Sequence, residues 1–162
     1  MPKVMLICGK ICSGKSYYTR KIKEQENAVI LSTDEATFDL IDNEQGEFYN
    51  IFGDRVNKYL RKKTVEIVKA GASVILDWGF WTRAGRKEIS EYFQAHGIAY
   101  EWHYVDIDEK TWHKNIDERN RKIKAGNGGS DFYVDEGLMR KLLARFEAPV
   151  REEIDVWYKA GY

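Results

Sequence analysis

Five apolar residues, Val4–Cys8, lead directly into the octapeptide GKICSGKS, which spans residues 9–16. This octapeptide has the pattern G-x-x-x-x-G-K-[ST], in which the glycines permit backbone angles that turn successive N–H groups towards a common centre. A helix that begins at Gly14 adds the partial positive charge of its N-terminus at the same place. Because such a nest binds phosphate, the order of strand, glycine-containing loop and helix predicts an α/β fold built around a phosphate site.

The same pattern assigns roles to individual side chains. The Lys15 ammonium would reach the β- and γ-phosphates of a nucleoside triphosphate, and the Ser16 hydroxyl would ligate Mg²⁺. The alternative is an ordinary turn between a strand and a helix, with a solvated lysine. A chance match in a chain of this length is rare, about one in two hundred from average residue usage. The expected nucleotide-binding residues are Gly9, Lys10, Ile11, Cys12, Ser13, Gly14, Lys15, Ser16 and Tyr17.

The choice of nucleotide depends on a second pattern. Guanine-specific proteins with this loop usually carry N-K-x-D on a late strand, whereas the loop alone is shared by many functions. The only Asn-Lys pair here is Asn57-Lys58, and Leu60 stands where the aspartate would be. The expected ligand is therefore ATP with Mg²⁺ rather than GTP.

Short apolar runs alternate with longer amphipathic segments, which is typical of a parallel sheet with helical connections. We predict strands at 4–8, 28–32, 73–76, 99–105 and 154–158, the last against the alternative of a helical end. The segment 38–52 shows no clear period and is predicted to be a loop. The chain is predicted to form one domain, 1–162, with a lid at about 112–133. Helices are predicted to begin at Gly14, Asp54, Thr82, Asp108 and Asp135, and the second and third to end at Gly71 and Gly97.

Composition excludes several classes of protein. Lysine plus arginine equal aspartate plus glutamate at 26 residues each, so no overall charge favours nucleic acid or a membrane surface. No apolar stretch approaches the length of a membrane span, and the N-terminal apolar run is too short for a signal peptide. Cys8 and Cys12 lack the spacing of a redox or zinc motif and are expected to be reduced thiols. We therefore expect a cytoplasmic protein without a structural metal site.

Two acidic residues follow predicted strands. Asp34 comes after the second strand and Asp77 after the third. Ligands of an open parallel sheet collect beyond the carboxyl ends of its strands, so both side chains are expected to face the phosphates. One could accept a proton from a substrate hydroxyl, and the other could order Mg²⁺ and its waters. The alternative for each is that it caps the following helix.

Arg83 and Arg86 lie near the start of the helix that follows Thr82, where the helix dipole disfavours cations. An anionic group of the substrate or the Asp77 carboxylate would offset this cost, and a solvated surface pair is the alternative. Aromatic side chains just beyond the third strand would either stack on a substrate or form a packing cluster. These aromatic residues are Trp78, Phe80 and Trp81.

The predicted helix after the fourth strand carries Trp112, Ile116 and Ile123 on one face. Arg119 lies on that same face, whereas Arg121 projects from the opposite side. An arginine on the apolar face, just before a glycine-rich tract, suits a lid that folds over a transferring phosphate. The alternative is a snorkelling arginine whose stem covers apolar surface.

Together with the phosphate loop, the segments around Asp34, Asp77 and Arg119 resemble the bacterial predicted-kinase family of AAA-type P-loop domains. That family is similar to the polynucleotide 5′-hydroxyl kinases, the zeta toxins and chloramphenicol phosphotransferase. The resemblance implies a three-layer P-loop fold with the adenylate-kinase-like sheet order 2-3-1-4-5 and a helical lid. It also implies that Asp34 is the general base and that Arg119, or alternatively Arg121, contacts the transferring phosphate. The matching segments are 5–16, 31–34, 74–86 (VILDWGFWTRAGR), 118–121 (ERNR) and 132–146 (FYVDEGLMRKLLARF).

One position departs from the polynucleotide kinases, which have an arginine three residues after the base to hold a substrate phosphate. Thr37 occupies this position here. We therefore expect transfer of the γ-phosphoryl of Mg-ATP to a hydroxyl of a small-molecule or nucleotide-like acceptor. A nucleoside-triphosphatase or nucleotide-sensing module and a nucleic-acid 5′-hydroxyl end kinase are the alternatives. The expected residues are Lys15, Asp34 and Arg119 for catalysis, Arg121 for the nucleotide, Ser16 and Asp77 for the metal, and Asp34, Asp77, Trp78, Arg83 and Arg86 for the substrate.

Overall fold

A parallel sheet of five strands lies at the centre of the computed structural model, in the order β2-β3-β1-β4-β5. The structure describes residues 1–41, 47–128 and 133–161, with the side chains of 47–50 excepted. The predicted α/β fold and its strand order are confirmed. The strands are β1 (Val4–Cys8), β2 (Ala28–Ser32), β3 (Ser73–Gly79), β4 (Tyr100–Ile107) and β5 (Val156–Ala160). The helices are α1 (Lys15–Glu26), α2 (Thr33–Ile41), α3 (Glu47–Lys69), α4 (Arg83–Ala95), α5 (Glu109–Lys124) and α6 (Glu136–Arg145), and a 3₁₀ turn (Arg151–Glu153) precedes β5.

Helices cover both faces of the sheet because β1 sends alternate side chains into two cores. Val4, Leu6 and Cys8 are fully buried among residues of α3 and α4. Met5 and Ile7 are fully buried on the other face, among residues of α1 and α5. Burial of each large apolar side chain stabilises the fold by about 1.5–3 kcal/mol. The predicted three-layer sandwich is thus held together through its central strand.

Local sequence signals define several helix ends. The side chains of Thr82, Asp108 and Asp135 each accept a hydrogen bond from the backbone N–H three residues further on. These caps satisfy N–H groups that the first turn of a helix leaves unpaired. Gly71 and Gly97, with φ of 100° and 66°, follow α3 and α4 in the left-handed region that favours glycine. These predicted boundaries are confirmed.

The predicted loop at 38–52 is wrong wherever the structure describes it. Helix α2 continues to Ile41, and α3 begins at Glu47 rather than at Asp54, while residues 42–46 lie outside the described residues. Helix α2 starts in the residue after β2, so no turn signal separates the two. It packs against α3 as well as the sheet. A short helix with two partners need not present a single apolar face.

Three strands end at residues other than those predicted, because pairing with neighbouring strands extends or shifts them. Strand β3 continues to Gly79 instead of 76, β4 continues to Ile107 instead of 105, and β5 is displaced by two residues towards the C-terminus. In the β2–β3 register, Ser32 is paired with Asp77. Strands β4 and β5 are paired to their last residues. Asp77 therefore lies within β3 rather than after it.

Among the described helices, none is both long enough and apolar enough to cross a membrane. Cys8 and Cys12 are free thiols, as expected. Burial raises the pKa of the Cys8 thiol to about 11, so this side chain is protonated at neutral pH.

The close packing around Gly9, in the turn after β1, leaves no room for an added methyl group, and this leads to a prediction about stability. A Cβ at Gly9 would lie 2.7 Å from Ser13 Oγ and 3.1 Å from the Val105 carbonyl oxygen. Gly9→Ala should therefore lower the free energy of unfolding by about 1–3 kcal/mol, as overpacking usually does. Gly53, within α3, is the matched control because a Cβ there meets no atom within 4 Å. Gly53→Ala should raise stability by about 0.5–1 kcal/mol. Urea unfolding of both variants tests this contrast, and equal stabilities would contradict it.

A buried polar chain crosses the face between α1 and β4. The Tyr18 hydroxyl and His103 Nδ1 are 2.7 Å apart, and His103 Nε2 lies 3.4 Å from a Glu101 carboxylate oxygen. Glu101 is also paired with Lys3 at 3.0 Å. Burial lowers the pKa of His103 below its usual 6.5, although Glu101 acts in the opposite direction. The folded protein therefore binds a proton at this imidazole less readily than the unfolded chain does.

The sign of the resulting pH dependence follows from proton linkage. As the pH decreases, the His103 imidazole is protonated in the unfolded chain at about pH 6.5, and in the folded protein only at a lower pH. The free energy of unfolding should therefore fall from about pH 6.5 down to the folded-state pKa. His103→Gln should make the plot of unfolding free energy against pH shallower in this window. His113→Gln is the control, since the His113 side chain is 56% exposed and lies outside this buried polar chain. Thermal unfolding across the window tests the expectation, which a wild-type slope in His103→Gln would contradict.

Candidate active site

The loop between β1 and α1 adopts a conformation that suits a phosphate nest. Cys12 and Gly14 have φ of 57° and 94°, so the backbone turns twice through the left-handed region. No side chain caps the start of α1, and its first turn contains no acidic residue. The N-terminus of α1 therefore presents its positive end at the loop. Gly9, Ser13 and Gly14 all lie in this loop, and their predicted contacts with a nucleotide stay a prediction.

The Lys15 ammonium lies inside this loop. Its Nζ donates hydrogen bonds to the carbonyl oxygens of Gly9 at 3.0 Å and Lys10 at 2.9 Å. Burial lowers the pKa of Lys15, and the charge of Asp77 is the largest influence in the opposite direction, ahead of Cys8 and Asp34. The ammonium is therefore held at the phosphate loop with two carboxylates close enough to act on it.

Ser16 and Asp77 approach each other from α1 and β3. The Ser16 hydroxyl lies close enough to the Asp77 carboxylate to lower the pKa of Asp77. Burial raises the pKa of Asp77. The charge of Lys15 and the Ser16 hydroxyl lower this pKa, and the negative charge of Asp34 raises it. The two carboxylates and the ammonium are thus gathered at one end of the sheet.

The hydroxyl of Ser16 and the carboxylate of Asp77 suit Mg²⁺ that is held partly by water and phosphate, rather than a metal ion held only by protein side chains. Within 1–41, 47–128 and 133–161, no group of three His, Cys, Asp or Glu side chains could hold a metal ion. Mg²⁺ prefers oxygen ligands and usually keeps water and substrate phosphate among them. A hydroxyl and one carboxylate beside a phosphate nest match that preference.

Asp34 lies in the first turn of α2, directly after β2, and its side chain is exposed. The charge of Asp34 acts on both Lys15 and Asp77, so it lies on the same side of the sheet as the phosphate loop. Thr37, one turn later, is buried and donates from its hydroxyl to the Thr33 carbonyl oxygen at 2.6 Å. The Thr37 side chain is thereby occupied within α2.

Helix α5 lies along the outside of the phosphate loop. Trp112 Nε1 donates to the Ile11 carbonyl oxygen at 2.6 Å, and Asn115 Nδ2 donates to the Cys12 carbonyl oxygen at 3.0 Å. One turn further, an Arg119 guanidinium nitrogen lies 3.5 Å from Cys12 Sγ. Arg119 is therefore beside the loop, and its predicted role as a lid residue stays a prediction.

Arg121 lies on the side of α5 that the helical period indicated, whereas the contact of Asn115 with the loop was not suggested by the sequence. Arg121 is exposed, on the side of α5 away from the apolar stripe. Sequence reasoning missed Asn115, although its position between Trp112 and Arg119 on one helical face was a usable signal. The lid predicted at about 112–133 includes most of α5, and its residues 129–132 lie outside the described residues.

The predicted substrate role of Arg86 needs correction, because its guanidinium is engaged within the chain. It is 3% exposed and donates to the carbonyl oxygens of Phe80 at 3.1 Å and Glu147 at 2.9 Å. It also forms a salt bridge with Glu153 at 3.1 Å. Arg83 is more exposed and pairs with the same carboxylate at 3.1 Å. The anions at the start of α4 are Glu153, which pairs with both arginines, and Glu147, whose carboxylate accepts a hydrogen bond from the Arg83 backbone N–H.

The aromatic residues after Asp77 form a packing cluster rather than an open stacking surface. The ring centres of Trp78 and Phe80 are 5.7 Å apart. Phe80 also packs edge-on against Trp102, with ring centres 5.0 Å apart. Trp78 Nε1 donates to the Leu31 carbonyl oxygen at 3.1 Å. Trp81 covers Gly79, whose missing Cβ would lie 2.5 Å from the indole nitrogen. These contacts favour the packing-cluster alternative for Trp78, which is partly buried.

Comparison with solved structures identifies the fold. A protein assigned as a kinase from Chloroflexus aurantiacus J-10-fl is 14% identical, with a TM-score of 0.72 over 98% of this chain and 86% of that one. The Mycobacterium tuberculosis APS kinase CysC, in complex with AMPPNP and APS, is 12% identical, with a TM-score of 0.68 over 99% and 90%. A chain of the Pnkp1/Rnl/Hen1 RNA repair complex is 19% identical, with a TM-score of 0.66 over 89% and 43%. At these identities the likeness shows a shared fold.

No curated protein matches the sequence significantly. The family model described as "AAA domain" matches residues 4–149, which include the phosphate loop, both carboxylates and α5. The match extends over most of the 162 residues, and the chain belongs to the AAA domain family.

Proposed function

We propose that this protein is a kinase that transfers the γ-phosphoryl group of Mg-ATP to a hydroxyl group of a small molecule. The observation that carries the proposal is the meeting of Asp34 with Lys15 and Asp77 at the phosphate loop. Phosphate and metal binding would require the loop, Lys15, Ser16 and one carboxylate. A second, exposed carboxylate beside them is what a hydroxyl acceptor requires.

The nucleotide would bind through the loop backbone and Lys15. The N-terminus of α1 and the Lys15 ammonium would bind the triphosphate, since both are positive and directed into the loop. Ser16 and Asp77 would hold Mg²⁺, which when bound neutralises charge on the phosphate oxygens. The absence of an N-K-x-D motif supports ATP over GTP.

Asp34 and Arg119 would have different roles in the transfer. The acceptor oxygen forms a bond to the γ-phosphorus, and the bond between that phosphorus and the β–γ bridging oxygen breaks. Asp34 would orient the hydroxyl and receive its proton, a role favoured by exposure to an entering acceptor. Arg119, beside Cys12, would stabilise the charge that develops on the phosphoryl oxygens.

Two observations support a small-molecule acceptor over a nucleic-acid end. Thr37 has its hydroxyl bonded within α2 and does not offer a cation to a substrate phosphate. Trp78 and Phe80, which would be candidates for stacking on bases, are partly buried and packed against the core. A nucleoside-triphosphatase without an acceptor is distinguished by its products, because it would release only free phosphate.

The first test is a screen of ATP consumption over a library of hydroxyl-bearing metabolites, with mass detection of the product. A phosphorylated library member, formed together with ADP, is the expected result. ATP consumption with free phosphate as the only product across the library would instead support the triphosphatase. Oligonucleotides with 5′-hydroxyl ends belong in the same screen, and their preferential phosphorylation would contradict the choice of acceptor.

Lys15→Ala should abolish the stabilisation of the fold by ATP. ATP at about one hundred times its dissociation constant should stabilise the wild type by about 2.7 kcal/mol. Lys23→Ala is the matched control, because Lys23 is exposed in the last turn of α1, at the end of the helix away from the loop. This control should keep most of the ATP-induced shift in melting temperature. An undiminished shift in Lys15→Ala would remove Lys15 from the nucleotide site.

Asp34→Asn and Asp77→Asn should have different effects. Asp34→Asn should leave ATP affinity nearly unchanged and lower turnover by about 10²–10⁴, the usual contribution of a general base. Asp77→Asn should weaken ATP binding in the presence of Mg²⁺ and affect it little without the metal, since an amide replaces a carboxylate ligand. Calorimetry with and without Mg²⁺ measures the binding. If Asp34→Asn alone loses Mg-ATP affinity, the two roles are reversed.

A further inference from the structure

Cys12 adopts a backbone conformation that is unfavourable for a residue with a side chain. Its φ of 57° lies in the left-handed region, where a Cβ approaches the following carbonyl oxygen. Gly14, two residues later, reaches φ of 94° without that cost because it lacks a Cβ. The conformation of Cys12 must therefore be maintained by contacts outside residue 12.

Two hydrogen bonds from α5 determine how the peptide planes of the loop are oriented. Trp112 directs the Ile11 carbonyl towards α5, and Asn115 directs the Cys12 carbonyl the same way. In a trans peptide the next N–H points away from the carbonyl, so the N–H groups of Cys12 and Ser13 are turned from α5. The Ser13 N–H accordingly donates to the Lys10 carbonyl oxygen at 3.2 Å and closes the turn.

We propose that Asn115 is a positioning residue of the phosphate site, which holds Cys12 in its left-handed conformation through the Cys12 carbonyl. Loss of this hydrogen bond would release residue 12 towards the right-handed region and open the turn before a phosphate arrives. The loop would then have to be ordered during binding, and its affinity for phosphate would fall. The inference rests on the proposed function, because it concerns the same phosphate site.

The test is a double-mutant cycle between residues 12 and 115. Asn115→Leu keeps the approximate shape of the side chain and removes the donor. Cys12→Gly removes the cost of the left-handed conformation, so the hydrogen bond from Asn115 matters less in that background. The matched control is Asn120→Leu on the same helix, since Asn120 holds the Val134 backbone through bonds of 2.6 and 2.8 Å. Each single and double variant is titrated with ATP and with inorganic tripolyphosphate by calorimetry.

Asn115→Leu should weaken binding of both probes about threefold to tenfold, the worth of one hydrogen bond. In the Cys12→Gly background the same change should weaken binding by less than about twofold, while Asn120→Leu should have equal effects in both backgrounds. Asn115→Ala provides a second variant if Asn115→Leu does not give the wild-type circular dichroism spectrum.

Two results would overturn the inference while the proposed function stands. One is wild-type affinity in both Asn115 variants. The other is an equal loss of affinity in the wild-type and Cys12→Gly backgrounds, which would place the role of Asn115 in the helix as a whole. If the wild-type protein binds neither ATP nor tripolyphosphate, the proposed function fails, and the inference fails with it.

Discussion

Burial of β1 on both faces is the constraint on which the rest of the structure depends. All five of its residues are fully buried, between strands β3 and β4 and between the two helical layers. Its position in the sheet is therefore not adjustable, and the loop that follows it begins at a defined place. The lack of space around Gly9 extends this rigidity into the first residue of the loop. A phosphate nest on such a base needs little reorganisation when a ligand binds.

The charges at the end of β1 are arranged so that each is partly offset by another. Burial disfavours the ammonium of Lys15 and the carboxylate of Asp77, and each of these groups favours the charged form of the other. Asp34 adds a second negative charge on the exposed side. A bound triphosphate with its metal would bring both signs of charge to this cluster, which is consistent with a site balanced for that ligand. Helix α5 completes it from the outside, through Trp112, Asn115 and Arg119.

The sequence predicted the fold well where a local signal was present. The apolar run of β1, the phosphate-loop pattern and the capping side chains of Thr82, Asp108 and Asp135 each act over a few residues, and the structure confirms the elements that they define. The prediction was wrong for 38–41 and 47–52, where two helices pack on each other as well as on the sheet. It was also wrong for Arg86, because Glu153, its partner, lies 67 residues away in sequence. No local pattern indicates such a pairing.

The sequence by itself determined the phosphate loop, the parallel α/β fold and the identity of the charged residues near the loop. These follow from short-range rules, since glycine freedom, apolar alternation and helix capping depend on neighbouring residues. Only the tertiary structure decided which partners those residues meet. It joined Asp77 to Ser16, turned Arg86 away to Glu153, and placed Asn115 against Cys12, 103 residues apart in sequence. The physical reason is that burial and strand pairing bring together segments that are distant in sequence. The free energy of a charge or a hydrogen bond depends on the environment that these assembled segments create.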